Sequence, residues 1–201
     1  MSATPLKLVV ILGSVREGRF GEVVANWFAG PAKEHGAFDV EVVDLAETEL
    51  PLALPATPPA MATEELRPAG MLPLSAKLAA ADAFVVVTPE YNHSFPASLK
   101  ALIDWHFTEW QAKPVGFVSY GAQSGGLRAV EQLRQVFAEL HAVTVRDGVA
   151  FPFYWEAFGE DGSPNDTDGT NGAVKVMLDE LAWWGRALHE ARAKSPYSPQ
   201  A

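Results

Sequence analysis

Cysteine is absent from the 201-residue sequence. That excludes disulfides, thiolate nucleophiles and cysteine-held metal clusters. No apolar run approaches the roughly 20 residues that a helical membrane span requires, so no membrane partner is expected. The first residues carry no basic segment ahead of a long apolar one. Leu8–Leu12 reads as a buried strand and not as the heart of a signal peptide. A cytoplasmic location is the resulting expectation. Basic charge is scarce: 15 Lys and Arg stand against 25 Asp and Glu, a net charge of −10. Such a chain repels a phosphate backbone, so no nucleic-acid partner is expected. The acidity reads chiefly as a device for solubility. The five histidines show neither H-E-x-x-H nor a paired ligand spacing, and no metal is expected. Gly159–Gly172 is acidic and glycine-rich, but a calcium loop in register with Gly169 would begin at Pro164 and end at Lys175. Both are wrong ligands, so the stretch reads as a solvated loop.

What is present is ample apolar material. At 48% hydrophobic and 20% charged residues, the chain is globular and long enough to bury a substantial core. Residues 1–194 are expected to form one domain, and 195–201, with two prolines, a loose tail. Short apolar runs alternate with helical spacings. Strands are read at Leu6–Leu12, Val40–Val43, Ala83–Val87 and Pro114–Ser119, with a fifth at Val143–Val145 that takes in Val149–Phe151. Helical faces are read through Phe20–Phe28, Ser75–Ala81, Phe95–Ile103, Leu127–Leu140 and Val174–Leu188. Proline-rich Leu50–Leu74 reads as a loop with one helical turn. Five strands alternating with five helices predict an α/β fold: a doubly wound parallel sheet between two helical layers. Ligands in such sheets bind beyond the carboxyl ends of the strands.

Two loops leave the first and third strands at those ends. In Gly13-Ser14-Val15-Arg16-Glu17-Gly18-Arg19-Phe20-Gly21, Gly13 allows a tight turn and Ser14 offers a hydroxyl to a phosphate oxygen. Arg16 and Arg19 offer guanidinium forks, which match phosphate geometry. Gly18 and Gly21 let the backbone approach a ligand closely, and the helix that follows presents unpaired N–H groups. Phe20 reads as packing at the helix start. Neither G-x-G-x-x-G nor G-x-x-x-x-G-K-[ST] occurs in the loop. The second loop is Thr88-Pro89-Glu90-Tyr91-Asn92-His93-Ser94. Pro89 sets the exit from the strand, Tyr91 offers an aromatic face and Asn92 both donor and acceptor. Glu90 reads as a solvent-facing or subunit-contact carboxylate, and Ser94 as the cap of the next helix, with Pro96 in its first turn. A third segment, Ser119-Tyr120-Gly121-Ala122-Gln123-Ser124-Gly125-Gly126, follows the fourth strand. Its glycines suit a backbone close to a ligand, and Ser124 reads as a helix cap. It does not spell G-x-S-x-G, which weakens a serine-hydrolase reading.

Together these segments resemble the NADPH-dependent FMN reductases, a flavodoxin-like family. The likeness is densest over Leu8–Trp27 and over Ala83–Trp105, through Pro89-Glu90-Tyr91-Asn92 and on to Asp104-Trp105. Ala122 departs from a frequent family glycine. The resemblance implies a three-layer sandwich with strand order 2-1-3-4-5. It implies FMN as cofactor, with Ser14, Arg16, Arg19, Phe20 and Gly21 in the phosphate cradle. Pro89, Glu90, Tyr91 and Asn92 would line the flavin ring, with Ser119 and Gly121 at its pyrimidine end. NADPH or NADH would be the electron donor and a small molecule the acceptor: a flavin, a quinone, an azo compound or another electrophile. No side chain need be catalytic, because the cofactor carries the chemistry; this includes His93. A homodimer or homotetramer is implied, with Phe95–Trp105 and the region of Trp110 as contacts. Two other readings stay open: an FMN-binding electron carrier or redox sensor with little nicotinamide turnover, and a non-flavin enzyme that binds another phosphate ester on the same fold.

Overall fold

The central strands of this protein are mostly apolar, and apart from Lys7 near the start of the first of them the structure buries them on both faces. In a computed structural model describing residues 4–61 and 64–198, β1 (Leu6–Leu12), β3 (Ala83–Pro89) and β4 (Pro114–Tyr120) lie side by side and parallel. β2 (Phe38–Asp44) pairs with β1 as the outer strand and exposes part of its length. With β5 at Val143–Thr144, the order is β2-β1-β3-β4-β5, as expected. Every residue of β3 and of β4 is buried, which requires a helical layer on each side.

Alternation along the strands splits the interior in two. Val10, Leu12, Val85, Val87 and Val118 face α1 (Gly21–Glu34) and α6 (Thr167–Lys194). Val9, Ile11, Phe84, Val86 and Phe117 face α2 (Leu72–Ala80), α3 (Ala97–Trp105) and α4 (Leu127–Glu139). The right-handed crossovers of a doubly wound sheet produce this division.

The structure departs from the sequence reading in several places. The fifth strand is two pieces, β5 (Val143–Thr144) and β6 (Val149–Phe151), both parallel to β4. Between them Glu180 accepts from the backbone N–H groups of Arg146 and Asp147, each at 3.0 Å, so the break in pairing is satisfied by a side chain. A short helix, α5 (Tyr154–Ala157), follows β6. The last helix begins at Thr167, well before the first apolar periodic residue. Its start is set by Asp166, which accepts from the Gly169 N–H at 3.1 Å. A polar first turn gives no hydrophobic period, so part of the expected loop is helix. The proline-rich connection holds several short 3-10 turns in place of one helical turn. It is lashed down by the Trp105 indole N–H on the Pro51 carbonyl (2.7 Å) and by Arg67 on Glu109 (2.7 Å). Of the expected tail, Tyr197 reaches the His141 ring at 2.9 Å, and 199–201 lie outside the described residues.

Trp110, expected near a subunit contact, is fully buried in the interior of the single chain. Its ring stands 4.8 Å from Phe84 and 5.4 Å from Phe137, and its N–H donates to the His106 carbonyl. It is therefore part of the core and unavailable to a partner. Among the described residues no helix is long and apolar enough to cross a membrane. Trp110→Ala should lower the free energy of unfolding by about 3–5 kcal/mol, measured by urea denaturation. A loss below about 1 kcal/mol would mean that the site collapses freely around the missing ring.

Candidate functional site

Three loops meet beyond the carboxyl ends of β1, β3 and β4. They enclose a cleft of about 260 Å³ walled by Arg16, Gly18, Arg19, Phe20, Pro89, Glu90, Tyr91, Tyr120, Gly121, Ala122, Tyr154 and Trp155. A roomier groove of about 580 Å³ lies between the end of α1 and α6, where Gly36 and Ala37 lead into β2. It sits at the amino ends of the strands, on the opposite edge of the sheet from the three loops, where ligands of such sheets are not usually bound.

The first loop is held from several sides. The Gly13 N–H donates to Val87 at 2.9 Å, prolonging the sheet, and its carbonyl accepts from the Ser98 hydroxyl. A Cβ at Gly13 would stand 2.7 Å from the Leu99 side chain, so α3 can seat here only against glycine. Ser14 is fully buried and its hydroxyl pairs with the Tyr91 hydroxyl at 2.8 Å, joining the first loop to the second. Arg16 N–H also leans on that oxygen at 3.4 Å.

The two arginines have different fates. Arg19 binds Glu22 and Asp44 and donates to the Ser14 carbonyl at 2.7 Å. Its charge is neutralised and it braces the loop. The exposed Arg16 side chain makes no hydrogen bond or ion pair among the described residues. Among the described residues its charge is left unneutralised at the wall of the cleft. The N-terminus of α1 is likewise open, because Phe20 precedes it and supplies no side-chain cap. The orphaned amides of a helix start attract an anion.

The second loop is a two-residue hairpin. Tyr91 and Ser94 exchange backbone hydrogen bonds of 2.8 and 3.0 Å, and Asn92 and His93 between them both have positive φ (50° and 67°). This is the geometry of a primed turn, whose second central position is more often glycine. Gln132 of α4 clamps it, donating to the His93 carbonyl at 2.7 Å and accepting from the Ser94 hydroxyl at 2.6 Å. Ser94 therefore belongs to the hairpin and does not cap α3, which starts after Pro96.

Glu90 is not the solvent-facing carboxylate expected from sequence. Its side chain is 7% exposed and binds the Arg128 guanidinium at 2.8 Å, the Arg128 N–H at 3.1 Å and the Ser124 hydroxyl at 2.6 Å. Burial alone would raise its pKa. The hydrogen bonds from Ser124 and Arg128, with the charge of Arg128, outweigh that and hold it below the usual carboxylate range. Glu90 thus takes the capping role assigned to Ser124, at the start of a helix whose own cap is Gly126 with φ of 91°. Carboxylates are favoured there by the helix dipole.

In the third segment Ser119 turns away from the cleft and donates to the Gly125 carbonyl at 2.8 Å. A Cβ at Gly126 would stand 2.6 Å from that of Ser119. Gly121 presents its backbone to the cleft and is paired with Phe151 and Tyr154 through its own N–H and carbonyl. Of the residues expected at the site, Arg16, Arg19, Phe20, Pro89, Glu90, Tyr91 and Gly121 wall the cleft. Ser14 lies beneath it, Gly21 and Ser119 in its supports, and Asn92 at the exposed hairpin tip. Tyr120, Tyr154 and Trp155 wall it without having been singled out. The Phe20, Tyr120 and Tyr154 rings pack at 4.8–6.3 Å. The aromatic run after β6 was the available signal, but only pairing of Gly121 with Phe151 brings it here. Among the described residues no cluster of His, Asp and Glu is grouped to hold a metal ion.

A parallel 2-1-3-4-5 sheet with its cleft at the β1/β3 switch point defines a flavodoxin-like protein. Residues 6–156 match the model of the NADPH-dependent FMN reductases. The chain is 39% identical over 138 residues to an NAD(P)H-dependent FMN reductase of Schizosaccharomyces pombe, covering 68% of this chain and 67% of that protein. It is 31% identical over 147 residues to a quinone reductase of Escherichia coli, covering 70% and 73%. It spans about two thirds of the length of the yeast relative. Among solved structures it resembles FerB, a flavoenzyme NAD(P)H:(acceptor) oxidoreductase of Paracoccus denitrificans. The TM-score is 0.68 at 22% identity, over 90% of this chain and 98% of that one. The chain belongs to the NADPH-dependent FMN reductase family, oxidoreductases that use FMN with NAD(P)H as electron donor.

Glu90→Gln should cost about 1–2 kcal/mol of stability at neutral pH. Because the folded pKa is depressed, the contribution of Glu90 is full above its unfolded pKa and is lost as pH falls through the folded value. The gap between the two proteins should therefore close in acid. A gap independent of pH, in denaturant titrations, would remove the carboxylate charge from the explanation.

Proposed function

We propose that this protein is a cytoplasmic, homo-oligomeric NAD(P)H-dependent oxidoreductase that holds FMN in the three-loop cleft and works by a ping-pong sequence on a small electron acceptor. The observation that carries the reading is the unpaired Arg16 beside the uncapped start of α1, at the switch point of the sheet. A phosphate ester fits this donor set: open helix amides and, unpaired among the described residues, a guanidinium and a buried tyrosine hydroxyl. Bound there, FMN would supply two-electron chemistry, taking a hydride from reduced nicotinamide and delivering it to an acceptor such as a flavin, a quinone or an azo compound.

The chain's own residues bind and orient. Arg16 faces the phosphate, while Arg19, tied to Asp44 and the Ser14 carbonyl, keeps the loop in shape. The Glu90–Arg128 pair and Gln132 fix the hairpin that presents Tyr91. Phe20, Tyr120 and Tyr154 give the cleft one apolar wall. No G-x-G-x-x-G fingerprint supplies a separate nicotinamide site, so donor and acceptor would use the same opening in turn. Dependence on reduced nicotinamide accords with a cytoplasmic location. Exposed Val15, Leu127 and Trp155 lie in or beside the site loops, apolar surface that a second copy of the chain would cover. Sedimentation velocity showing only monomer would remove the oligomer.

The first test is the visible spectrum of the purified protein with FMN, then with NADPH or NADH under anaerobic conditions. Bleaching of the flavin band supports the reductase. Binding without bleaching would favour an electron carrier or sensor, and absence of binding would redirect the site to another phosphate ester. Arg16→Ala should weaken FMN binding by about 1.5–3 kcal/mol and leave the melting temperature of the ligand-free protein unchanged. Unaltered affinity in a fluorescence titration would sink the phosphate assignment.

A further inference from the structure

Tyr120 ends β4, and strand alternation carries its side chain to the α1–α6 face beside Val118. Its ring meets Phe20 and Tyr154 edge-on, at 6.3 and 5.5 Å between centroids. The hydroxyl reaches the first residue of α1, where a Cβ on Gly21 would stand 2.6 Å from it. The residue is 3% exposed, and its oxygen has no hydrogen-bond partner among the described residues. The neighbouring Ser14 hydroxyl is paired with Tyr91.

A buried hydroxyl without a partner weakens the fold that contains it. Phenylalanine would make the same ring contacts without that cost. The oxygen therefore needs a reason outside the packing, and its surroundings supply one. It borders the same cleft as Arg16, at the uncapped end of α1. Burial raises the phenol pKa above its usual value; Tyr91 adds to the rise, the nearby Ser14 hydroxyl opposes it, and Tyr154 and Arg19 make smaller contributions up and down. The group therefore stays protonated and available as a donor.

We propose that the Tyr120 O–H donates to a phosphate oxygen of the ligand seated at the start of α1, making Tyr120 a determinant of preference for phosphorylated over unphosphorylated flavin. This rests on the flavin reading of the cleft, and it adds a neutral donor from β4 to the cation and amides of the first loop.

The test is Tyr120→Phe, titrated with FMN and with riboflavin by flavin fluorescence, alongside the melting temperature of the ligand-free protein. The dissociation constant for FMN should rise about five- to twentyfold, while that for riboflavin moves by less than about twofold. Ligand-free stability should hold or increase, because the orphan hydroxyl is gone. Opposite signs for affinity and stability are what a purely structural tyrosine would not produce. Unchanged FMN affinity, an equal loss for both flavins, or a lower ligand-free melting temperature would each overturn the assignment. If the unsubstituted protein binds no FMN, the flavin reading falls and this assignment with it. That outcome appears before any variant is compared.

Discussion

Burial of β1, β3 and β4 on both faces is the constraint from which the rest of the molecule follows. Strands that touch helices on either side leave little room for polar side chains, and Thr88 and Ser119, which stand near the carboxyl ends, bond to nearby backbone carbonyls. Polar function must then sit where the strands end, and the parallel arrangement sends the βα loops of all three strands to one edge. Gly13 continues the hydrogen-bonding of β1 toward β3, and the Glu90 N–H and Tyr120 carbonyl do the same between β3 and β4. The cleft is thus an extension of the sheet's own ladder, which gives loop residues the positional precision of strands.

That precision is reinforced by side-chain contacts among the loops and with α4. Glu90 joins the second loop to α4, Gln132 clamps the hairpin, and the Ser14–Tyr91 pair ties the first loop to the second. The hairpin carries local strain at His93, whose positive φ is normally left to glycine in such a turn. Strain of this kind persists where neighbouring contacts over-determine the backbone, and here α4 supplies them.

Charge is distributed with a similar economy. The chain carries a net charge of −10, yet the cleft presents an unneutralised guanidinium in Arg16 and an open helix start. Asp44 and Glu22 neutralise Arg19, so the positive potential at the site comes from a small, directed set of groups. Tyr120 fits this pattern as a donor that adds no charge. Family membership agrees with such a site, because FMN brings a phosphate dianion along with its ring.

The strands and the loops of the site were legible because apolar runs and the Pro89-Glu90-Tyr91-Asn92 spelling are local properties; the strand order came only through the family resemblance that those loops carry. Helix starts were less so. The polar first turn of α6 has no hydrophobic period, and the serines at 94 and 124 look like caps until the partners of each are known. Residues far along the chain decide those partners: Gln132 for Ser94 and Glu90 for Ser124. The same holds for Trp110, whose neighbours Phe84 and Phe137 come from other elements. By itself the sequence determined which segments would be buried and which loops would stand at their ends, because periodicity and turn residues act through near neighbours. The tertiary structure alone decided that Arg19 is spent, that Glu90 caps a helix, and that among the described residues Arg16 is left free and the Tyr120 hydroxyl has no partner. Each of those outcomes depends on distances between atoms that the chain brings together only by folding.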